Sequence, residues 1–246
     1  MNRVTPVWSS IVSIFLLLIG SGCTTTAPVV TTDEAVSRLF EARRDFPGAN
    51  SVSSVRVTGR GGRSFRASIA IDPHGNMALT ALTPFGTAAA HIRVEGDRVT
   101  LVNHLRNLYW EGTIRELSGA NPLADVLRVE GLPFLLTGLP PWLSADRVRR
   151  EMMEDGRMRL SDRDISLVVG SSGMVSGTVW IGAQEVNVRF REPAIPASGV
   201  EVSSPLQPER MVRFEHLNLE LGPMVIEPIE ISADYRRTEF WESVVE

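Results

Sequence analysis

The chain contains a single cysteine, Cys23, and no lysine. One thiol cannot close a disulfide within the chain, so the fold must be held by its core. All 25 basic side chains are arginines, which we read as genomic composition bias. Charge of one sign is also missing: the formal net charge is −4. Without Arg3 the balance is 24 basic against 29 acidic side chains, so nothing global favours nucleic acid, although a local basic patch stays open. The N-terminal apolar run, Ile11 to Ile19, falls short of the about 20 residues that a spanning helix needs.

Catalytic signatures are absent too. Gly170-Ser171-Ser172-Gly173-Met174 ends in Met, not the Gly of a nucleophile elbow, and Gly59 to Ser64 lacks the last glycine of a dinucleotide loop. Both read as turns. His74, His91, His104 and His216 lack metal-ligand spacing, and no second thiolate stands ready to help them. Asp162 and Asp164 could pair in space, which sequence alone does not show. The expectation is a protein without catalytic residues, metal or cofactor, and therefore not an enzyme.

The N-terminus has the parts of a secretory signal. Arg3 and the amino terminus make a positive n-region, Ile11 to Ile19 the apolar h-region, and Gly20-Ser21-Gly22 the small residues for cleavage. The small-small-Cys ending at Cys23 resembles the bacterial lipobox, which implies acylation of the Cys23 sulfur; Gly20 departs from the Leu usual there. An ordinary secretory signal with an incidental Cys is the alternative. This divides the chain into a signal peptide (1–22), a lipidated tether (23–31) and a single folded domain (32–246).

The body opens with Thr31 and Glu34 at capping-box spacing, and Val36, Leu39, Phe40 and Arg43 fall on one helical face that Pro47-Gly48 terminates. That face covers one end of a sheet or, in a second reading, binds a membrane. From Val52 the period changes to two. Val55 and Val57, then Phe65, Ala67, Ile69 and Ile71, alternate with polar residues around the turn Gly59 to Gly62. Turns at Asp72-Pro73-His74-Gly75, Thr83-Pro84-Phe85-Gly86 and Glu95-Gly96-Asp97 separate strands over 76–82, 87–94 and 98–103, with another at Leu108-Tyr109-Trp110. An antiparallel meander results.

Asn121-Pro122-Leu123 opens a helical stretch that Gly131-Leu132-Pro133 interrupts before a second apolar element, Phe134 to Gly138. Both read as short helices over the sheet. Strands resume at Ile165 to Val169, Thr178 to Ile181 and Val186 to Phe190, and Arg191 to Gly199 breaks the run. Between Met211 and Leu221 the apolar parity changes, which a bulge near Glu215-His216 would reconcile.

Leu79 to Val102 (LTALTPFGTAAAHIRVEGDRVTLV), Phe134 to Pro140 (FLLTGLP) and Arg191 to Val202 (REPAIPASGVEV) follow one another in an order that resembles the LolA–LolB lipoprotein-carrier family, in particular its outer-membrane receptor LolB. The resemblance covers roughly Val52 to Leu221. It implies a mainly β (α+β) fold, an incomplete antiparallel β-barrel with helices covering the concave apolar face. It also implies that the cavity accepts acyl chains of lipoproteins delivered by the periplasmic carrier LolA and helps insert them into the outer membrane. In the family the large apolar residue of the Pro-x-Gly loop protrudes and places cargo in the bilayer; here that loop is Pro84, Phe85 and Gly86. A Phe85 side chain folded back onto the sheet is the alternative.

Family logic also reads Thr24, in place of the Asp that retains lipoproteins in the inner membrane, as an address at the periplasmic face of the outer membrane of a Gram-negative bacterium. The charged segment Arg147 to Asp164 matches no family motif, and the tail ending in Phe240-Trp241 is longer than the family requires. A lipid-anchored binding or scaffold protein with the same fold is therefore the second reading. An envelope hydrolase, a third class, would need a polar cleft with converging His and carboxylates.

Overall fold

The computed structural model describes residues 30–59, 62–117, 122–129, 131–181, 184–205, 207–239 and 241. Cys23, its signal and most of the tether lie outside them.

Helix α1 (Thr32–Arg44) begins where the capping residues place it: the Glu34 N–H donates to Thr31 Oγ1 at 3.2 Å. Only half of the expected capping box forms. The Glu34 carboxylate instead takes Arg38 one turn on, at 2.6 Å. Ala35, Val36, Leu39, Phe40 and Arg43 form the buried face, so the helix covers the sheet as its apolar stripe requires.

Six strands follow: β1 (Ala49–Val57), β2 (Arg63–Ile71), β3 (Met77–Leu82), β4 (Ala88–Glu95), β5 (Arg98–Asn103) and β6 (Leu108–Thr113). Two short helices, α2 (Pro122–Leu127) and α3 (Leu132–Leu136), precede β7 (Arg149–Met152), β8 (Met158–Ser161), β9 (Ile165–Gly170), β10 (Gly173–Ile181), β11 (Gln184–Arg191), β12 (Gly199–Ser204), β13 (Gln207–Leu221) and β14 (Arg236–Arg237). They form one 14-stranded sheet in the order β14-β6-β5-β4-β3-β2-β1-β13-β12-β11-β10-β9-β8-β7. Every pairing is antiparallel except that of β14 with β6. The ends of the order, β14 and β7, do not meet, so the barrel is open.

Alternation decides the two faces. On the first half Val55, Ala67, Ile69, Leu79 and Leu101 point inward, and on the second Leu160, Leu167, Val179, Val188 and Phe214 do so; all are buried in one apolar cluster. The two halves meet at the β1–β13 pairing, from Ala49 opposite Leu221 to Val57 opposite Val212.

Four details refine the sequence reading. The charged segment 147–164 is a hairpin of β7 and β8, in which Met158 and Leu160 point in while Arg159 points out. The helical stretch ends at Leu127, before Gly131-Leu132-Pro133, and that segment also starts α3: Gly131 is its N-cap at φ 68°, and Pro133, in the first turn, lacks only an N–H that no helical carbonyl would accept. β10 begins at Gly173 rather than Thr178. The bulge falls near Glu215-His216, as the parity change requires. Val52 pairs with Asn218 and Ser53 with His216, which leaves Leu217 as the extra, exposed residue.

Candidate functional site

The helices close the inner face. Helix α1 lies against β9 and β10, α2 against β13 and α3 against β12. Two contacts fasten them around the apolar interior. In the first, the Phe134 ring of α3 packs edge-on to Phe46 with centroids 5.9 Å apart, and the Arg43 guanidinium lies 3.4 Å from its centroid. Gly75, in the β2–β3 turn, lets that ring approach, since a Cβ there would come within 2.6 Å of it. Arg43 is only 5% exposed, and burial lowers its pKa from the usual guanidinium value. Its Nε has no hydrogen-bond partner among the described residues. The flat, weakly hydrated guanidinium against an aromatic face is the form of buried cation that costs least.

The second fastening is His216. Its Nε2 is 2.8 Å from the Leu136 carbonyl at the end of α3, while its Nδ1 is 2.8 Å from Ser53 Oγ and 3.1 Å from Ser51 Oγ. Burial lowers the pKa of His216, and the Leu136 carbonyl offsets part of that effect. A neutral ring donates from Nε2 to the Leu136 carbonyl and accepts at Nδ1 from the nearer hydroxyl, that of Ser53, which in turn accepts from Ser51. Ser51 and Ser53 also bond each other at 2.8 Å, giving a small polar network in the apolar wall.

The Pro84-Phe85-Gly86 loop stands at one end of the sheet, between β3 and β4. Thr83 N–H donates to the Thr87 carbonyl at 2.8 Å, Gly86 N–H to the Thr83 carbonyl at 2.9 Å, and the two Thr hydroxyls bond at 2.7 Å. Pro84 presets the turn and Gly86 takes φ 82°, the left-handed position that closes such a three-residue loop. Phe85 is 92% exposed, so it points out of the molecule and does not fold back onto the sheet.

Sequence reasoning placed Arg43 on the buried face of α1 and His216 at a bulge but did not join either to α3. Those pairings span 91 and 80 positions, distances over which no local period carries a signal. On the outer face, Arg159, Arg163, Ser166, Thr178 and Trp180 line an open groove of about 460 Å³. Among the described residues no group of three or more His, Cys, Asp or Glu could hold a metal, and no helix is long and apolar enough to cross a membrane.

No protein-family profile and no curated protein matches the sequence. Solved structures do. A LolA superfamily protein from Nitrosomonas europaea matches with a TM-score of 0.50 at 10% identity, covering 84% of this chain and 100% of that one. A putative outer membrane lipoprotein-sorting protein domain from Vibrio parahaemolyticus matches with a TM-score of 0.48 at 8% identity, covering 78% of this chain and 93% of that one. At such identity the likeness to the Nitrosomonas europaea structure is one of fold alone: this chain's open, mostly antiparallel sheet is similar to the fold of that protein.

Proposed function

We propose that the protein is a lipid-anchored acceptor of acylated lipoproteins that works like LolB. On this reading Cys23 is acylated and holds the half-barrel at the periplasmic face of the outer membrane. The apolar interior takes acyl chains from a periplasmic carrier such as LolA, and Phe85 brings the loaded molecule to the bilayer. The observation that carries this is the continuous apolar inner face closed by short helices. An acyl chain is worth about 0.8 kcal/mol per buried CH₂, so moving one through water needs such a shelter and little else.

The helices fill that shelter in the closed form described above, so cargo must displace them. The cation–π contact at Phe134 and the His216 bond to Leu136 are the fastenings that must give. Transfer breaks no covalent bond, which accords with a protein that is not an enzyme.

The test is an exchange assay. A carrier loaded with a labelled lipoprotein is mixed with membranes, with and without the full chain. Movement of label into membranes that depends on the protein supports the reading; failure to accept cargo overturns it. The second reading, a lipid-anchored scaffold for another amphiphile or a partner protein, rests on the outer groove of Arg159, Arg163 and Trp180, whose polar lining suits a ligand other than an acyl chain.

A further inference from the structure

Phe85 is not alone at its end of the sheet. Leu105, in the turn between β5 and β6, is 73% exposed. The two turns are neighbours because β4 pairs with β5: Ala90 lies opposite Asn103, and the His104 N–H donates to the Ala89 carbonyl at 2.9 Å. Continued by one step, that register sets Leu105 level with Ala88. Phe85, at the tip of the adjoining loop, stands roughly two to three residue rises farther out, about 7–10 Å. The tips are therefore staggered, with Phe85 leading.

The turn that carries Leu105 is braced. Asn103 Oδ1 accepts the N–H groups of Leu105 and Arg106 at 3.0 and 3.1 Å. The C-terminal tail clasps the same turn from outside. Tyr235 OH lies 2.7 Å from His104 Nδ1, and the Arg236 N–H donates to the Asn107 carbonyl at 2.8 Å. Farther along, the Thr238 N–H donates to the Tyr109 carbonyl at 2.9 Å and Trp241 is buried. A large apolar side chain held out by this many hydrogen bonds has little freedom to turn inward. The tail thereby has an evident structural task, the fixing of the second tip.

We propose that Leu105 is a second membrane-contacting residue, and that the occupant of this end of the sheet is the interfacial zone of a lipid bilayer. Apolar groups of surface-bound proteins enter that zone to about 5–10 Å. When Phe85 reaches its inner limit, Leu105 arrives at the headgroup level, and the exposed Arg106 beside it can meet lipid phosphates while its stem stays against apolar surface. The inference rests on the acceptor reading above, and it adds a second contact and an order of contact.

Depth-dependent quenching tests it on the full chain purified with its anchor. With Cys23 acylated, a cysteine introduced at position 85, 105 or 225 is the only free thiol for an environment-sensitive dye. The protein is placed in vesicles of phosphatidylethanolamine and phosphatidylglycerol carrying brominated acyl chains. Val225, 82% exposed in the segment that follows the far end of β13, is the control. We expect quenching at 85, weaker quenching at 105 and none at 225. Quenching at 85 with a solvent-like signal at 105 overturns the proposal and leaves the acceptor reading standing; failure of the exchange assay with 105 quenched does the reverse. As a label-free check, Leu105→Glu should slow lipoprotein insertion about tenfold while Leu105→Ile does not, and equal rates would count against the contact.

Discussion

The Arg43 guanidinium and the Phe134 ring meet 3.4 Å apart, joining the last turn of α1 to the short helix α3 inside the molecule. Phe134→Ala should leave a cavity and strip Arg43 of that aromatic face. The expected loss is about 3–5 kcal/mol of folding stability, read from urea or guanidinium midpoints. A loss below about 1 kcal/mol would show that the helices are not fastened there.

Stability should depend on pH through His216. Burial holds its pKa below that of the unfolded imidazole, which titrates near about 6.5. The unfolded chain then binds more protons as pH falls through that value toward the lower folded one. Stability is complete above about pH 6.5 and declines on acidification. His91, lowered first by burial and then by the charge of His104, adds to the same slope. Thermal midpoints between pH 7.5 and 5.5 should therefore fall, and His216→Asn should give a shallower fall from a lower starting point. An unchanged slope in that variant would exclude the neutral-ring latch.

Phe85→Glu alters a side chain with almost no packing, so its thermal midpoint should stay within the range of an ordinary surface change, about 0.5 kcal/mol. In the exchange assay the variant should still take up cargo but fail to insert it. Normal insertion would remove Phe85 from the mechanism.

Cys23→Ser deletes the proposed acylation site without touching the described fold. The variant should appear in the soluble periplasmic fraction and lack the acyl mass increment on intact-protein mass spectrometry. Retention in the membrane with no mass difference from the parent chain would favour the alternative of an incidental cysteine.

Much of the architecture was legible because strands and helices write different periods. The meander from β1 to β6, the cap at Thr31 and the bulge in β13 all came from spacing. The hairpin of β7 and β8 did not, since Arg149, Arg150, Glu151 and Met152 form an exposed edge strand with no buried parity; only Met158 and Leu160 alternated inward. Local pattern does not decide between an exposed Phe85 and a folded-back ring; its 92% exposure does, on a loop whose Thr83–Thr87 hydrogen bonds leave no trace in hydropathy. The Arg43–Phe134 and His216–Leu136 contacts depend on how β1, β13 and α3 come together, which no local window contains.

The β1–β13 pairing has a kinetic consequence. Strands 150 or more residues apart form the centre of the sheet, so the edge of β1 stays unpaired until nearly the whole chain is available. Such long-range pairing slows folding, and until it forms each half-sheet has a bare strand at its edge. Ser51, Ser53 and Arg56 interrupt the apolar side chains along β1. They blunt that edge while it waits for β13, so the polar residues that later hold His216 in place also serve as a guard against aggregation.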